Sequence, residues 1–363
     1  MLRDTLARIA RVELPPPKYL SFPTAGIDIS ASGVKLAVLK EREHGLELAV
    51  HSEERLPVGA IVDGEIADKK VVIETLMNIR KKYKVHYANI ALSESRGYLF
   101  EADVEGKTME ELRTATEAHI DEFVPLPPAE VVFDIAPMLQ LEDNKTHVVG
   151  VGYAHRLIDE VLDILDSAGI KVRALEGETF ALARSLLPHG DTETVMIIDI
   201  GRTTTKLMVV AHRMPRFTTT LDIGGHAMTL AVQKYFGVTE EEAKKVKAER
   251  GIVSSDGNDE YVAAMLSTLS AVREEIGKRL DYWQSRATQV SPHEPVTRAI
   301  LVGGNATVRG LPEYLETALK IPVELGDVFV NLASKKDWLP PIDYMESLAY
   351  GTAIGLALRE YVP

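Results

Sequence analysis

The sequence predicts a mixed α/β protein built from two duplicated domains around a cleft, and three observations carry that prediction. The chain has 363 residues, 45% of them hydrophobic, enough for two or three domains with a sizeable core. Short β-branched runs such as Gly26 to Ile29 and Val34 to Leu39 alternate with helical patterns such as Lys69 to Tyr83, as expected of strands and helices sharing one core. The run from Ile27 to Val38 recurs 171 positions later, from Ile198 to Val209, with six of twelve positions identical. An internal repeat of this kind implies a duplicated fold with its functional turns brought together.

Taken from the N-terminus, Met1 to Arg11 sets Leu2, Leu6 and Ile9 at helical spacing among Arg3, Arg8 and Arg11, a short basic amphipathic helix. Pro15, Pro16 and Pro17 then withhold three backbone donors and favour an extended spacer, so folding is expected to begin near Thr24. The first copy of the repeat is an apolar strand ending in Asp28, a small polar turn (Ser30, Ala31, Ser32, Gly33) and a returning strand after Lys35. The second copy has Asp199, then Gly201, Arg202, Thr203 and Thr204. Such β-hairpin turns let the main chain approach an anion, and their N–H groups and hydroxyls cradle phosphate oxygens. An Asp at the strand end suits Mg²⁺, which keeps much of its water and takes one or two carboxylates with phosphate oxygens.

Further along, Ala299 to Val302 reads as a strand running into Gly303, Gly304 and Asn305, with Gly310-Leu311-Pro312 opening a helix. Missing side chains there leave room for a flat base or ribose against the main chain. Gly224 and Gly225, after Leu221-Asp222-Ile223, repeat that signal more weakly. Rival motifs fail. Glu105 to Thr108 ends like a phosphate-binding loop, but Glu101 stands where its first glycine is required. No Gly-x-Gly-x-x-Gly opens a helix, and the ten histidines form no HExxH pair.

Composition narrows the class. Lys plus Arg total 41 against 54 Asp plus Glu, and the net charge of −13 disfavours nucleic acid as a partner. With no cysteine there is no disulfide and no thiolate chemistry, which fits a reducing cytoplasm. The longest apolar stretches, Thr194 to Ile200 and Ala349 to Leu358, fall short of the ~18 residues that suggest a membrane span.

Two Asp-bearing hairpins followed by a Gly-Gly turn resemble the actin-like ATPase superfamily of sugar kinases, heat-shock chaperones and bacterial actins. Within it, Val124 to Asp134, Leu175 to Arg184 and Ala353 to Arg359 are similar to the PilM family of type IV pilus assembly proteins, and Lys278 to Trp283 fits that family's long helix. The resemblance runs from about Thr24 to the C-terminus. It implies an actin-like ATPase fold with a 1C-type inserted subdomain. Residues 24–95, 171–191 and 329–363 would form subdomain 1A, and 96–170 subdomain 1C. Residues 192–238 and 296–328 would form 2A, 239–295 would form 2B, and 1–23 would stand outside as helix and linker.

It also implies ATP and Mg²⁺ as ligands. Asp28, Ser30, Ser32 and Lys35 would serve the first phosphate loop, and Asp199, Gly201, Arg202, Thr203 and Thr204 the second. Gly224, Gly225, Gly303, Gly304 and Asn305 would flank the nucleoside, with Lys247 facing it from a helix and Asp28 and Asp199 holding Mg²⁺ through water. Ser30 replaces the glycine usual in that loop, and Lys244 stands where an acidic residue is commoner. Glu178 falls where hydrolytic relatives orient water, or else caps its helix, so ATP turnover is expected to be slow at most. The expected role is a cytoplasmic ATP-binding scaffold gripping the N-terminal cytoplasmic tail of an inner-membrane PilN-like protein, touching the membrane only through partners, with self-association open. The alternatives are a small-molecule kinase and an FtsA-like polymerising protein. The first lacks a sugar-binding signature; the second needs a C-terminal amphipathic helix, whereas this sequence ends Tyr361-Val362-Pro363.

Overall fold

The computed structural model describes residues 23–253, 259–287, 294–334 and 336–362. The amphipathic helix expected over Met1 to Arg11 and the spacer at Pro15 to Pro17 lie outside the described residues.

Strands β1 (Thr24–Ser30) and β2 (Gly33–Arg42) form the first expected hairpin, with Ile27 opposite Leu36 and Asp28 opposite Lys35. β3 (Gly45–Arg55) extends the meander, and a ribbon of β4 (Ile61–Val62) and β5 (Glu65–Ile66) precedes α1 (Lys69–Tyr83). Asp68 caps α1 by accepting from the Val71 N–H, and Val72, Leu76 and Ile79 make its buried stripe. β6 (Tyr87–Leu92) then runs parallel to β1.

A small antiparallel sheet follows, of β7 (Gly97–Glu105), β8 (Val131–Gln140) and β9 (Lys145–Ala154) in the order β7-β9-β8. With α2 (Met109–Ala118) and α3 (Ile120–Phe123) it closes a separate core that includes Phe100, Leu112, Val124 and Val148. The segment that mimicked a phosphate loop starts α2: Thr108 and Glu111 form a reciprocal capping box. The free edge of β8 is blunted, because Arg113 bonds the Phe133 carbonyl, the Asp134 carboxylate takes the Ile135 N–H, and Pro137 has none.

Helix α4 (His155–Ser167) sends Leu157, Val161, Ile164 and Leu165 into the same core as the stripe of α1, and β10 (Lys171–Gly177) joins β6. The first sheet therefore runs β10-β6-β1-β2-β3. After α5 (Glu178–Leu186), the second expected hairpin appears as β11 (Thr194–Ile200) and β12 (Thr205–Ala211), with Asp199 opposite Lys206. β13 (Met214–Leu221), α6 (Gly225–Phe236), α7 (Glu240–Arg250), α8 (Asp259–Ala287), β14 (Arg298–Val302), α9 (Leu311–Leu319) and β15 (Val323–Leu325) complete a sheet ordered β13-β12-β11-β14-β15. Strand for strand this repeats the first sheet, an antiparallel meander continued by two parallel strands, so the repeat read in the sequence is a repeat of architecture.

Short α10 (Tyr344–Ser347) leads to α11 (Gly351–Leu358), every residue of which is buried. The apolar stretch at 349–358 is thus core. Its glycines and alanines admit backbone-to-backbone contact: a Cβ on Gly355 would collide with the Ala181 carbonyl of α5, and one on Gly26 with the Ala353 carbonyl. Glu176 ties the junction electrostatically, accepting from Arg184 at 2.6 and 3.0 Å and from Arg359 at 2.5 Å.

Candidate nucleotide cleft

Between the two sheets lies a cleft of about 1110 Å³ lined by both hairpins. Asp28, Ser30, Ser32, Lys35, Glu178, Asp199, Gly201, Arg202, Thr203, Thr204, Gly303, Gly304 and Asn305 all line it, residues far apart in sequence brought together by the duplication. Gly224, Gly225 and Lys247 do not.

The first hairpin is self-bonded. Ser30 Oγ lies 3.0 Å from Ser32 Oγ and donates to the Gly33 carbonyl at 3.2 Å, so the side chain that replaces glycine is folded back into its own turn. Lys35 donates to Ser32 Oγ at 3.1 Å and stands 3.8 Å from Glu53. In the second hairpin the Gly201 N–H donates to the Thr204 carbonyl at 2.9 Å, leaving the turn hydroxyl-rich and open, with Arg202 3.7 Å from Glu240.

The glycines divide by job. Gly303 holds a φ of +92°, and a Cβ there would strike the Asp199 carboxylate, so the turn after β14 passes directly over that side chain. Gly304 meets only Ala349, at 3.7 Å, and leaves open space. Gly224 and Gly225 stand one layer back: a Cβ on the first would crowd the Arg202 and Thr203 backbone at 2.7 Å, and one on the second would collide with the Asn305 side chain. Their role is close approach of α6 to the second hairpin. Lys247 is likewise turned inward, with its amine on the Gly225 carbonyl, Thr229 Oγ1 and Asn305 Oδ1 at 3.1, 3.1 and 2.7 Å.

Charge is concentrated across the cleft. Lys206 of β12 pairs with Glu178 at the start of α5, joining the two halves. Burial pushes the Glu178 carboxyl up to about 7, against the pull of Lys206 and with repulsion from Asp28. Burial also raises Asp199, reinforced by repulsion from Asp28 and offset in part by Lys206 and Lys35, and burial raises Glu94. For Lys206, burial acts downward, but Glu178, Asp199 and Asp28 outweigh it and hold the amine above its ordinary value.

Glu94 accepts the Thr179 N–H at 2.7 Å and so caps α5, the job weighed for Glu178, whose own carboxylate is turned to Lys206. Lys206 and Glu94 escaped the sequence reading. The first had a signal, since it repeats Lys35 at the same 171-residue offset; the second, a lone acid in a short turn, had none.

A pair of like-ordered α/β sheets facing a cleft through Asp-bearing hairpins defines the actin-like ATPase fold. Solved structures with that fold agree. MreB5 of Spiroplasma citri bound to ADP matches at 13% identity and a TM-score of 0.53, covering 86% of this chain and 94% of its own. The ethanolamine utilization protein EutJ from Carboxydothermus hydrogenoformans matches at 16% identity and 0.52, covering 95% and 90%. A PilM-PilN type IV pilus biogenesis complex matches at 22% identity and 0.77, covering 94% of this chain and 99% of that one. The family described as type IV pilus assembly protein PilM matches over residues 26–361, and the chain belongs to that family. Among the described residues no helix is long and apolar enough to cross a membrane.

Proposed function

We propose that this protein is an ATP-binding scaffold of the type IV pilus assembly platform, working at the cytoplasmic face of the inner membrane and holding the N-terminal tail of a PilN-like protein. The observation that carries the nucleotide part is the pairing of Asp28–Lys35 and Asp199–Lys206 hairpins across one cleft. The donor set suits a magnesium polyphosphate. Lys35 and Lys206 would neutralise phosphate charge, the Thr203 and Thr204 hydroxyls would bond phosphate oxygens, and Asp28 and Asp199 would hold Mg²⁺ through water. Among the described residues no three carboxylates or histidines converge as direct metal ligands, which favours an ion shared with the phosphates. Open space at Gly304 suits a ribose or base.

Glu178, the carboxylate expected to orient water, is held by Lys206, which supports nucleotide as a conformational ligand with slow turnover at most. It biases the two halves only by binding one arrangement better. The partner's tail would seat as an extended peptide at or beside the small three-stranded sheet, the part proposed as the 1C-type subdomain. In this chain the free edge of β8 is blunted, so the peptide would use a groove rather than extend the sheet at that strand.

Calorimetry tests both halves of the reading. ADP and a non-hydrolysable ATP analogue are titrated with and without Mg²⁺, then a PilN-like tail peptide is titrated into each form. Micromolar, Mg²⁺-dependent nucleotide binding abolished by Asp199→Ala supports the cleft; no heat from any nucleotide overturns it. A peptide that fails to bind in either form overturns the partner.

A further inference from the structure

We infer that Lys247 is a positioning residue of the nucleotide cleft, acting through Asn305 on the second phosphate hairpin rather than on the ligand. Lys247 is 8% exposed, and all three hydrogens of its ammonium are spent on the Gly225 carbonyl, Thr229 Oγ1 and Asn305 Oδ1. An ammonium only donates, so it accepts no other orientation of the Asn305 amide than oxygen inward. The amide nitrogen is thereby aimed the other way, where it donates to the Gly201 carbonyl at 2.8 Å. That same carbonyl takes the Gly225 N–H at 2.9 Å, and the Ile200 carbonyl takes the Asn305 N–H at 3.1 Å. Four separate segments meet in this hub: α7 through Lys247, the start of α6 through Gly225, the turn after β14 through Asn305, and the hairpin through Gly201.

The glycine at 225 is what admits the hub, since any side chain there would occupy the space of the Asn305 amide. Among the described residues no carboxylate is bonded to Lys247, and burial brings its amine down to about 8, so the described partners of the charge are neutral dipoles. A lysine kept desolvated on neutral partners, while half-buried Lys244 takes Glu240 and Glu241, has a task other than surface pairing. The task fits the shape of the hairpin: with Asn305 free to flip, its oxygen would face the Gly201 carbonyl and push the turn away from Asp199.

The inference rests on the reading of the cleft as a nucleotide site, and the experiment separates the two. The full chain carries Lys247→Met, Asn305→Ala, their combination, and Lys247→Met combined with Asp28→Asn. ADP affinity with Mg²⁺ is measured by calorimetry, and the Asn305 side-chain amide is followed by ¹H–¹⁵N NMR without ligand. Lys247→Met and Asn305→Ala are each expected to weaken ADP about tenfold, as loss of a charge-assisted hydrogen bond does, and the double variant no further. Lys247→Met and Asp28→Asn should multiply, because the first hairpin is outside the hub. The Asn305 amide signal should move in Lys247→Met. Unchanged ADP affinity in Lys247→Met, a multiplying Lys247–Asn305 pair, or an unmoved amide signal would overturn the inference. Wild-type protein that binds no nucleotide defeats the cleft reading instead, and the amide signal still decides whether Lys247 orients Asn305. If Lys247→Met does not fold, Lys247→Gln, which keeps a donor of lower reach, replaces it with the same expected non-additivity.

Discussion

Glu178 and Lys206 set the electrostatics of the cleft. Lys206 is the second copy's counterpart of Lys35, yet the two are used differently: one is tethered within its own hairpin, the other across to α5. A polyphosphate entering between the hairpins would have to compete with Glu178 for Lys206 and would meet the Glu178 charge as well. Glu178→Gln removes both obstacles and keeps a side chain of the same length. Nucleotide affinity at pH 7.5 is therefore expected to rise about fivefold to tenfold, the effect of roughly one unit of charge interaction. Lys206→Met should lower affinity by at least as much. Calorimetry on both variants checks this, and a Glu178→Gln protein that binds more weakly would instead make Glu178 a ligand-holding group.

Elements bear out the same division between what local sequence encodes and what the fold adds. The hairpins were legible because each is a contiguous strand, turn and strand with an acid at a fixed place, and the echo between them showed that the turn is reused. The order of strands in each sheet was not legible residue by residue, nor was the direction in which Lys247 leaves α7, since helical spacing fixes a face and not the neighbour it meets. Arg216 is the clearest case. It lies on β13, and its partners Glu101 and His147 belong to the small sheet, 115 and 69 positions earlier. In the sequence Glu101 is legible only as the residue that spoils a phosphate loop. In the fold it is the buried counterion that joins the small sheet to the second domain, with His147 also bonded to Asp103 at 2.6 Å.

Arg216→Met strands a buried carboxylate, at a cost of about 3–5 kcal/mol. Faster amide exchange in β7 and β9 should report it, while α9 stays protected. The glycine contacts give a paired test. Gly355→Ala forces α11 off α5 and should cost ~3 kcal/mol or prevent folding, whereas Gly277→Ala in α8, with nothing within 4 Å of the new methyl, should gain about 0.5–1 kcal/mol. Thermal unfolding of the two variants separates crowding from helix propensity.

For the whole molecule, the decisive quantity is the charge held between the domains. Asp28, Glu94, Glu178 and Asp199 face Lys35 and Lys206, an excess of carboxylates that burial penalises. Glu178 is raised to about 7, and Glu94 and Asp199 are raised too, so the folded protein binds protons that the unfolded chain has released. Linkage then gives the direction: the stabilisation is complete below the ordinary carboxylate range and is lost as pH rises toward and through 7. A divalent cation held by Asp28 and Asp199 reverses the balance at Asp199, because it needs that carboxylate ionised and must displace its proton. The ligand-free protein should therefore lose thermal stability between about pH 5 and 8, and Glu178→Gln should flatten that slope. In the Glu178→Gln protein, where the repelling carboxylate no longer titrates, Mg²⁺-nucleotide should bind more tightly as pH rises over the same interval, with protons released to the buffer. Calorimetry in two buffers of different ionisation enthalpy measures that release directly. Proton uptake on binding would mean that the cleft admits its ligand by neutralising carboxylates with protons rather than with metal, and the arrangement proposed for Asp28 and Asp199 would fall.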